Sequence, residues 1–280
     1  MISKLTFIRK IQRIQGGIKK NFKSTKLTAP AILVNSFPKS GTHLLKQVFE
    51  PLGFDDYLQH PSSLPSFPHK VREVERDIKD INNIVNNELI CAHFFSREKL
   101  TSCLSKLNII HFFIYRDLRD VVLSEMFYLK SINKLHALHS VFKNLENDNQ
   151  RIKFAIMGND YIQTKYPYPN ISERFAWYKD WITDAFCYDI RFEDLINNDT
   201  QHEQVTMIIN HLKSRGVKID NINKYIAMSL DNLQPKNSHT YRKGGRGNWK
   251  TYFNKEHRDL FKEYAGNLLI ELNYESDSNW

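Results

Sequence analysis

The stretch ILVNSFPKSGTHLLKQVFE, Ile32 to Glu50, decides the fold. It opens as a short apolar run, read as a buried strand. A Pro-Lys-Ser-Gly-Thr turn follows, and Leu44, Leu45 and Val48 then share one face at helical spacing. A strand, a loop of small residues and a helix N-terminus make an anion cradle, because first-turn amides lack an internal acceptor and carry the positive end of the helix dipole. The order differs from the Gly-x-x-x-x-Gly-Lys-Ser/Thr loop of nucleotide hydrolases: Lys39 precedes Gly41, and no earlier glycine opens the turn. Backbone amides between Phe37 and Thr42, the mobile charge of Lys39 and the hydroxyls of Ser40 and Thr42 suit a phosphate-like group. A capped surface turn reads the same way, so the loop alone does not name its ligand.

Outward from this stretch, strands and helices alternate. Ala31–Val34 reads as the first strand and Thr42–Phe49 as the first helix. HPSSLPSFPHK (His60–Lys70) is a Pro/Ser loop, Glu88–Cys91 a brief strand, and NIIHFFIYR (Asn108–Arg116) the most strongly apolar strand of the chain. Asp117–Tyr128 begins a helix, Ser131–Pro169 is an inserted helical region, and Phe175–Trp181 is helical. Phe186–Phe192 is another strand, Thr206–Leu212 a helix, and about His257 to Leu272 the last helix. This order predicts a single α/β domain over residues 31–280, with a central, mainly parallel sheet flanked by helices and ligands at the carboxyl ends of the strands.

The chain's 280 residues are 41% hydrophobic, enough for one sizeable core. No run approaches the roughly 18 apolar residues of a membrane span, so the expectation is a soluble or peripheral protein. Cys91, Cys103 and Cys187 show no CxxC spacing, which argues against a disulfide framework and a zinc site and for a reducing, cytoplasmic setting. A formal charge of +9 suggests an anionic ligand without choosing among nucleic acid, anionic lipid and sulfated or phosphorylated small molecules. Much of the excess lies in a basic arm, residues 1–30, where Lys4, Arg9, Lys10, Arg13, Lys19, Lys20, Lys23 and Lys26 occur with no acid. Leu5, Phe7, Ile8, Ile11, Ile14 and Ile18 interleave with them. The arm reads as a basic amphipathic helix for an anionic membrane surface, as an organelle transit peptide, or as a solvated arm on the domain.

Two more stretches carry anion chemistry. In YRDLRDVVLSEMFY, Arg116 closes the apolar strand and Ser124 lies eight residues on, about two helical turns. The guanidinium fork and hydroxyl can hold one phosphate between them; the alternative is an ion pair of Arg116 with Asp117 or Asp120. In YRKGGRGNWKTYF, the cations Arg242, Lys243, Arg246 and Lys250 surround three glycines. That loop suits a polyanion, or a nucleic acid with Trp249 and Tyr252 as stacking groups.

Together these stretches resemble the sulfotransferases that use 3′-phosphoadenosine 5′-phosphosulfate (PAPS), the cytosolic-type sulfotransferase domain family with its P-loop-like fold. FPKSGTHLL is similar to that family's 5′-phosphosulfate loop, YRDLRDVVLS to its 3′-phosphate strand and helix, and RKGGRGNWK to its last basic loop. IRFEDL (Ile190–Leu195) and SLDNLQ (Ser229–Gln234) look like two further family segments. The resemblance implies PAPS as co-substrate, 3′,5′-adenosine bisphosphate as product and no metal. It implies nucleotide binding by Lys39, Ser40, Gly41, Thr42, His43, Leu44, Arg116, Ser124, Phe192, Ser229, Arg242, Lys243 and Gly244. Lys39 is implied to assist the departing phosphate. His93, in ELICAHFF just past a strand, is implied to be the general base, with His43 its competitor.

Several positions depart from the family pattern. Leu44 stands for a tryptophan, Phe192 for a tyrosine and Leu230 for a phenylalanine, which makes the base pocket more aliphatic. His43 stands for a threonine, Cys91 for a lysine and Asn248 for an aspartate. The competing readings are a small P-loop-like kinase and a non-catalytic basic binder of membrane or nucleic acid. On the sulfotransferase reading no nucleic acid is expected, a homodimer is compatible, and the acceptor is a small molecule, glycan or lipid. His60–Lys70 and Ser131–Pro169 are the expected walls of the acceptor pocket.

Overall fold

The computed structural model describes residues 14–20, 28–234 and 245–280. Among them, β1 (Ala31–Ser36), β2 (Leu89–Ala92), β3 (Ile109–Tyr115) and β4 (Cys187–Arg191) form a sheet in the order β2-β1-β3-β4. Every neighbouring pair is parallel. Because side chains alternate across a strand, Ala31 and Leu33 enter one apolar cluster while Ile32 and Val34 enter the other. Both sheet faces are therefore covered, the condition under which strands read as unbroken apolar runs. The chain leaves β1 toward β2 and returns on the other side for β3, so a crevice opens at the carboxyl ends of β1 and β3.

The predicted single α/β domain with flanking helices is the architecture observed. Helix α1 (Thr42–Phe49) has the expected bounds and buries Leu44, Leu45 and Val48. Strand β1 runs two residues further than predicted, through Asn35 and Ser36, which pair with Phe113 and Ile114 of β3. Asn35 is tolerated there because its amide exchanges hydrogen bonds with the backbone of Phe94, at 2.8 and 3.1 Å. Helices α2 (Val74–Asn82), α3 (Glu98–Leu104) and Ile222–Asn232 are not foreseen by the pattern. In α2 the buried positions are Asp77 and Ile81, so apolar periodicity has little to show. After β3 the chain forms α4 (Leu118–Phe127), whose start is capped by the Asp117 carboxylate, and then a π-helical turn, Tyr128–Ile132. The expected helical insertion contains His139–Asn144 and Asp148–Met157.

About two helical turns of the basic arm are docked on the domain. In the helix over 14–20, Lys20 pairs with the buried Glu88 at 2.7 Å. A methyl group on Gly16 would sit 2.3 Å from the Tyr57 carbonyl oxygen, so glycine permits the close approach. Among the described residues no helix is long and apolar enough to cross a membrane.

Candidate active site

The loop after β1 is held in shape by its own backbone. Phe37 N–H donates to the Ile114 carbonyl at 3.3 Å, tying the loop to β3, and Ser40 N–H donates to Phe37 at 3.2 Å. Lys39 and Gly41 take positive φ values of 70° and 104°, which turn the chain into α1. The Gly41 carbonyl then accepts from the amides of Leu44 and Leu45. Glycine is required at this point twice over: the left-handed conformation disfavours other residues, and a β-carbon would lie 2.5 Å from Phe192 Cδ2. The first turn of α1 contains no acid, so its positive end is not compensated there. Ser40 Oγ is fully buried and has no hydrogen-bond partner.

Beneath the loop, three polar side chains connect β1, α1 and the end of β2. Ser36 Oγ shares a 2.6 Å hydrogen bond with Thr42 Oγ1 and lies 3.0 Å from His93 Nδ1. His93 Nδ1 is also 3.0 Å from the Ser36 carbonyl oxygen. The His93 backbone is pinned on its outer side, where its N–H donates to Pro61 and its carbonyl accepts from Ser63 N–H. The ring is thereby fixed by β1 and the main chain by the 60–70 loop. Burial pushes the His93 pKa down, the hydrogen bond to the Ser36 backbone opposes this, and the Lys39 charge lowers it further.

The Lys39 ammonium lies 3.8 Å from the centroid of the Tyr128 ring, a cation–π contact. Burial pushes its pKa down to about 7; the Glu125 carboxylate opposes the shift and the Arg116 charge adds to it.

Arg116 follows β3 and is buried. Its Nη2 donates to the Gly245 carbonyl at 2.7 Å and lies 3.4 Å from Asp120 Oδ2. Its guanidinium carbon stands 4.4 Å over the Phe192 ring, so Phe192 is lodged between Gly41 and Arg116. The Nε of Arg116 is buried without a partner.

The sulfotransferase domain profile matches residues 29–273. The chain belongs to the sulfotransferase domain family. It is 25% identical over 249 residues to the flavonol 3-sulfotransferase of Flaveria bidentis, covering 80% of this chain and 77% of that one. In fold it is similar to a mouse sulfotransferase crystallised with PAP, with a TM-score of 0.57 at 16% identity over 90% of this chain and 89% of that one. It is also similar to retinol dehydratase in a complex with retinol and PAP, with a TM-score of 0.55 at 14% identity over 85% and 81% of the two chains. Family membership decides against the kinase and the non-catalytic binder.

In this sulfotransferase the expected site residues fall into groups. Lys39, Ser40, Gly41 and Thr42 form the loop, with His93 and Arg116 at the ends of the strands on either side of β1. Ser124 lies on α4, one turn after Asp120 and hence on the same face as it. Leu44 is buried in the apolar cluster with Leu45 and Val48. His43 turns its ring toward His60, with centroids 5.7 Å apart. Ser229 is fully buried and donates to the Val48 carbonyl at 2.8 Å, which ties the Ile222–Asn232 helix to α1. Its hydroxyl proton is therefore engaged by backbone in this structure. Arg242, Lys243 and Gly244 lie outside the described residues.

Sequence reasoning passed over Ser36, Asn35, Asp120 as a loop anchor, and Tyr128. Polar residues closing an apolar strand were the available signal for the first two. The expected acceptor walls do meet, with Ala137 N–H donating to Ser66 at 3.0 Å and the rings of His69 and His136 4.8 Å apart. The unpartnered Ser40 hydroxyl and Arg116 Nε fit a ligand that brings anionic oxygens to two places, since buried polar groups are otherwise almost always paired.

Proposed function

We propose that the chain transfers a sulfonate group from PAPS to a hydroxyl or amine of a small-molecule, glycan or lipid acceptor. One juxtaposition carries the reading: Lys39, His93 and Arg116 follow three adjacent parallel strands and interact electrostatically, His93 with Lys39 and Lys39 with Arg116. The flavonol 3-sulfotransferase relative and the fold neighbours crystallised with PAP support it.

The loop amides, Ser40 and Thr42 hold the phosphosulfate end, and Arg116 with Ser124 holds the 3′-phosphate. Lys39 donates a hydrogen bond to the oxygen bridging phosphorus and sulfur. Charge develops on that oxygen as its bond to sulfur breaks, and a donor already in place stabilises it. His93 keeps a proton on Nδ1 against the Ser36 carbonyl, which leaves the Nε2 lone pair to accept the proton of the acceptor. The acceptor oxygen or nitrogen bonds to sulfur, and the electron pair of the broken S–O bond departs with the 5′-phosphate of 3′,5′-adenosine bisphosphate. Three free cysteines accord with a cytoplasmic setting.

The test is incubation of the purified protein with sulfur-labelled PAPS and a panel of phenols, sugars, lipids and amines. Acceptor-dependent label transfer with release of the bisphosphate is expected. The bisphosphate at 100 times its dissociation constant should add about 2.7 kcal/mol of stability. Absence of both label transfer and thermal shift would overturn the reading.

A further inference from the structure

The carboxylate of Asp120 is buried on the first turn of α4 and serves three partners at once. Its Oδ2 accepts from Gly247 N–H at 2.7 Å and its Oδ1 from Trp249 N–H at 2.9 Å, so it caps the turn over 245–249. Arg116 Nη2 lies 3.4 Å from the same Oδ2. That Nη2 also donates to the Gly245 carbonyl at 2.7 Å, and the same carbonyl accepts from Asn248 Nδ2 at 2.7 Å. A guanidinium is a rigid planar fork. Fixing Nη2 at two points and one face over Phe192 sets its plane and leaves the buried, unpartnered Nε for another acceptor. Capping of the turn would need only the two amide bonds; the Arg116 pair and the orphaned Nε are what capping leaves unexplained.

We infer that Asp120 is a positioning residue: it aims Arg116 at the nucleotide's 3′-phosphate while holding the 245–249 turn beside it, so selectivity for that phosphate depends on a carboxylate that touches no ligand. The inference rests on the nucleotide reading above and deepens it. Ser124, one helical turn from Asp120 on the same face, lies where it can share the phosphate with the aimed guanidinium. Arg119 supports the arrangement from the other side, its guanidinium carbon 4.0 Å over the Trp249 ring and 4.4 Å over Trp280.

The experiment is a calorimetric titration of wild type and Asp120→Asn with 3′,5′-adenosine bisphosphate and, separately, with adenosine 5′-monophosphate, which lacks the 3′-phosphate. The bisphosphate is expected to lose about 10- to 100-fold in affinity, the scale of a hydrogen bond to a charged group. The monophosphate is expected to keep its affinity within about twofold, since Arg116 contributes little to it. Equal weakening of both ligands would mean that Asp120 only supports the turn, and no change in either would mean that it does nothing for binding; each overturns the inference alone. A wild type indifferent to the 3′-phosphate overturns the nucleotide reading and the inference with it. If Asp120→Asn does not fold, Asp120→Ser, which keeps one acceptor for the turn and removes the charge, is read in the same way.

Discussion

His93 Nδ1 lies 3.0 Å from the carbonyl oxygen of Ser36. A carbonyl can only accept, so this contact forms in the tautomer that carries its proton on Nδ1 and leaves the lone pair on Nε2. The contact exists because β1 and β2 run parallel with Asn35 opposite Ala92, which brings the ends of the two strands level. His93→Ala is expected to lower kcat about 10²- to 10⁴-fold, the usual worth of a positioned base, with bisphosphate binding retained. The measurement is steady-state turnover alongside a thermal shift. Wild-type turnover in His93→Ala with an inactive His43→Ala would transfer the role to His43.

The acid limb of the kcat/KM profile, which reports the free enzyme, is expected below pH 6.5, because burial and the Lys39 charge both push the His93 pKa down. An acid limb above 6.5 in a profile that His93→Ala abolishes would contradict this environment.

Lys39, with its pKa lowered to about 7, is partly neutral at physiological pH. An anion bound beside it favours the charged form and raises that value. Bisphosphate binding at pH 8 is therefore expected to take up close to one proton, and affinity to fall by up to about tenfold per pH unit above 7. Calorimetry in two buffers of different ionisation enthalpy reads the uptake directly. Lys39→Met should abolish it, and uptake persisting in that variant would place the proton elsewhere.

The same burial predicts a stability cost. A lysine whose folded pKa lies below its unfolded value of 10.5 penalises the folded state fully below pH 7, and the penalty fades as pH rises from 7 toward 10.5. Lys39→Met is expected to be inactive yet more stable at pH 7, with a midpoint raised by about 2–4 °C for each kcal/mol recovered. A midpoint below that of wild type would show that the Tyr128 contact outweighs the buried charge.

Gly41→Ala is expected to destabilise the fold by about 1–3 kcal/mol and to weaken nucleotide binding, through its φ of 104° and the contact with Phe192. In Gly41→Ala with Phe192→Ala, the steric part is relieved and the backbone part is not. Chemical denaturation of the single and double variants separates the two.

The elements that carry the candidate site were legible from Ile32–Glu50 and Asn108–Tyr128, where strand, loop and helix are short-range patterns with strong signals. Lys39 and Arg116 could be placed because each follows an apolar run whose parallel pairing sets where the chain emerges. Ser36 was not legible as a site residue, since a serine after a strand has many uses and its partners lie 6 and 57 positions away. Asp120 was legible only as an ion-pair candidate; its hold on Gly247 and Trp249 spans 127 and 129 positions. Ser229 shows the reverse, a motif position whose hydroxyl meets the backbone of α1.

By itself the sequence determined the α/β class, the parallel sheet, the strand-loop-helix unit at Ile32–Glu50 and the family. These follow from periodicity, backbone conformational limits and motifs that act over a few residues. Only the tertiary structure decided which carbonyl faces His93 Nδ1, that Lys39 is buried against Tyr128 and what holds Arg116. Those properties depend on burial and on partners from distant segments, and desolvation and hydrogen-bond geometry exist only once the strands have been brought side by side.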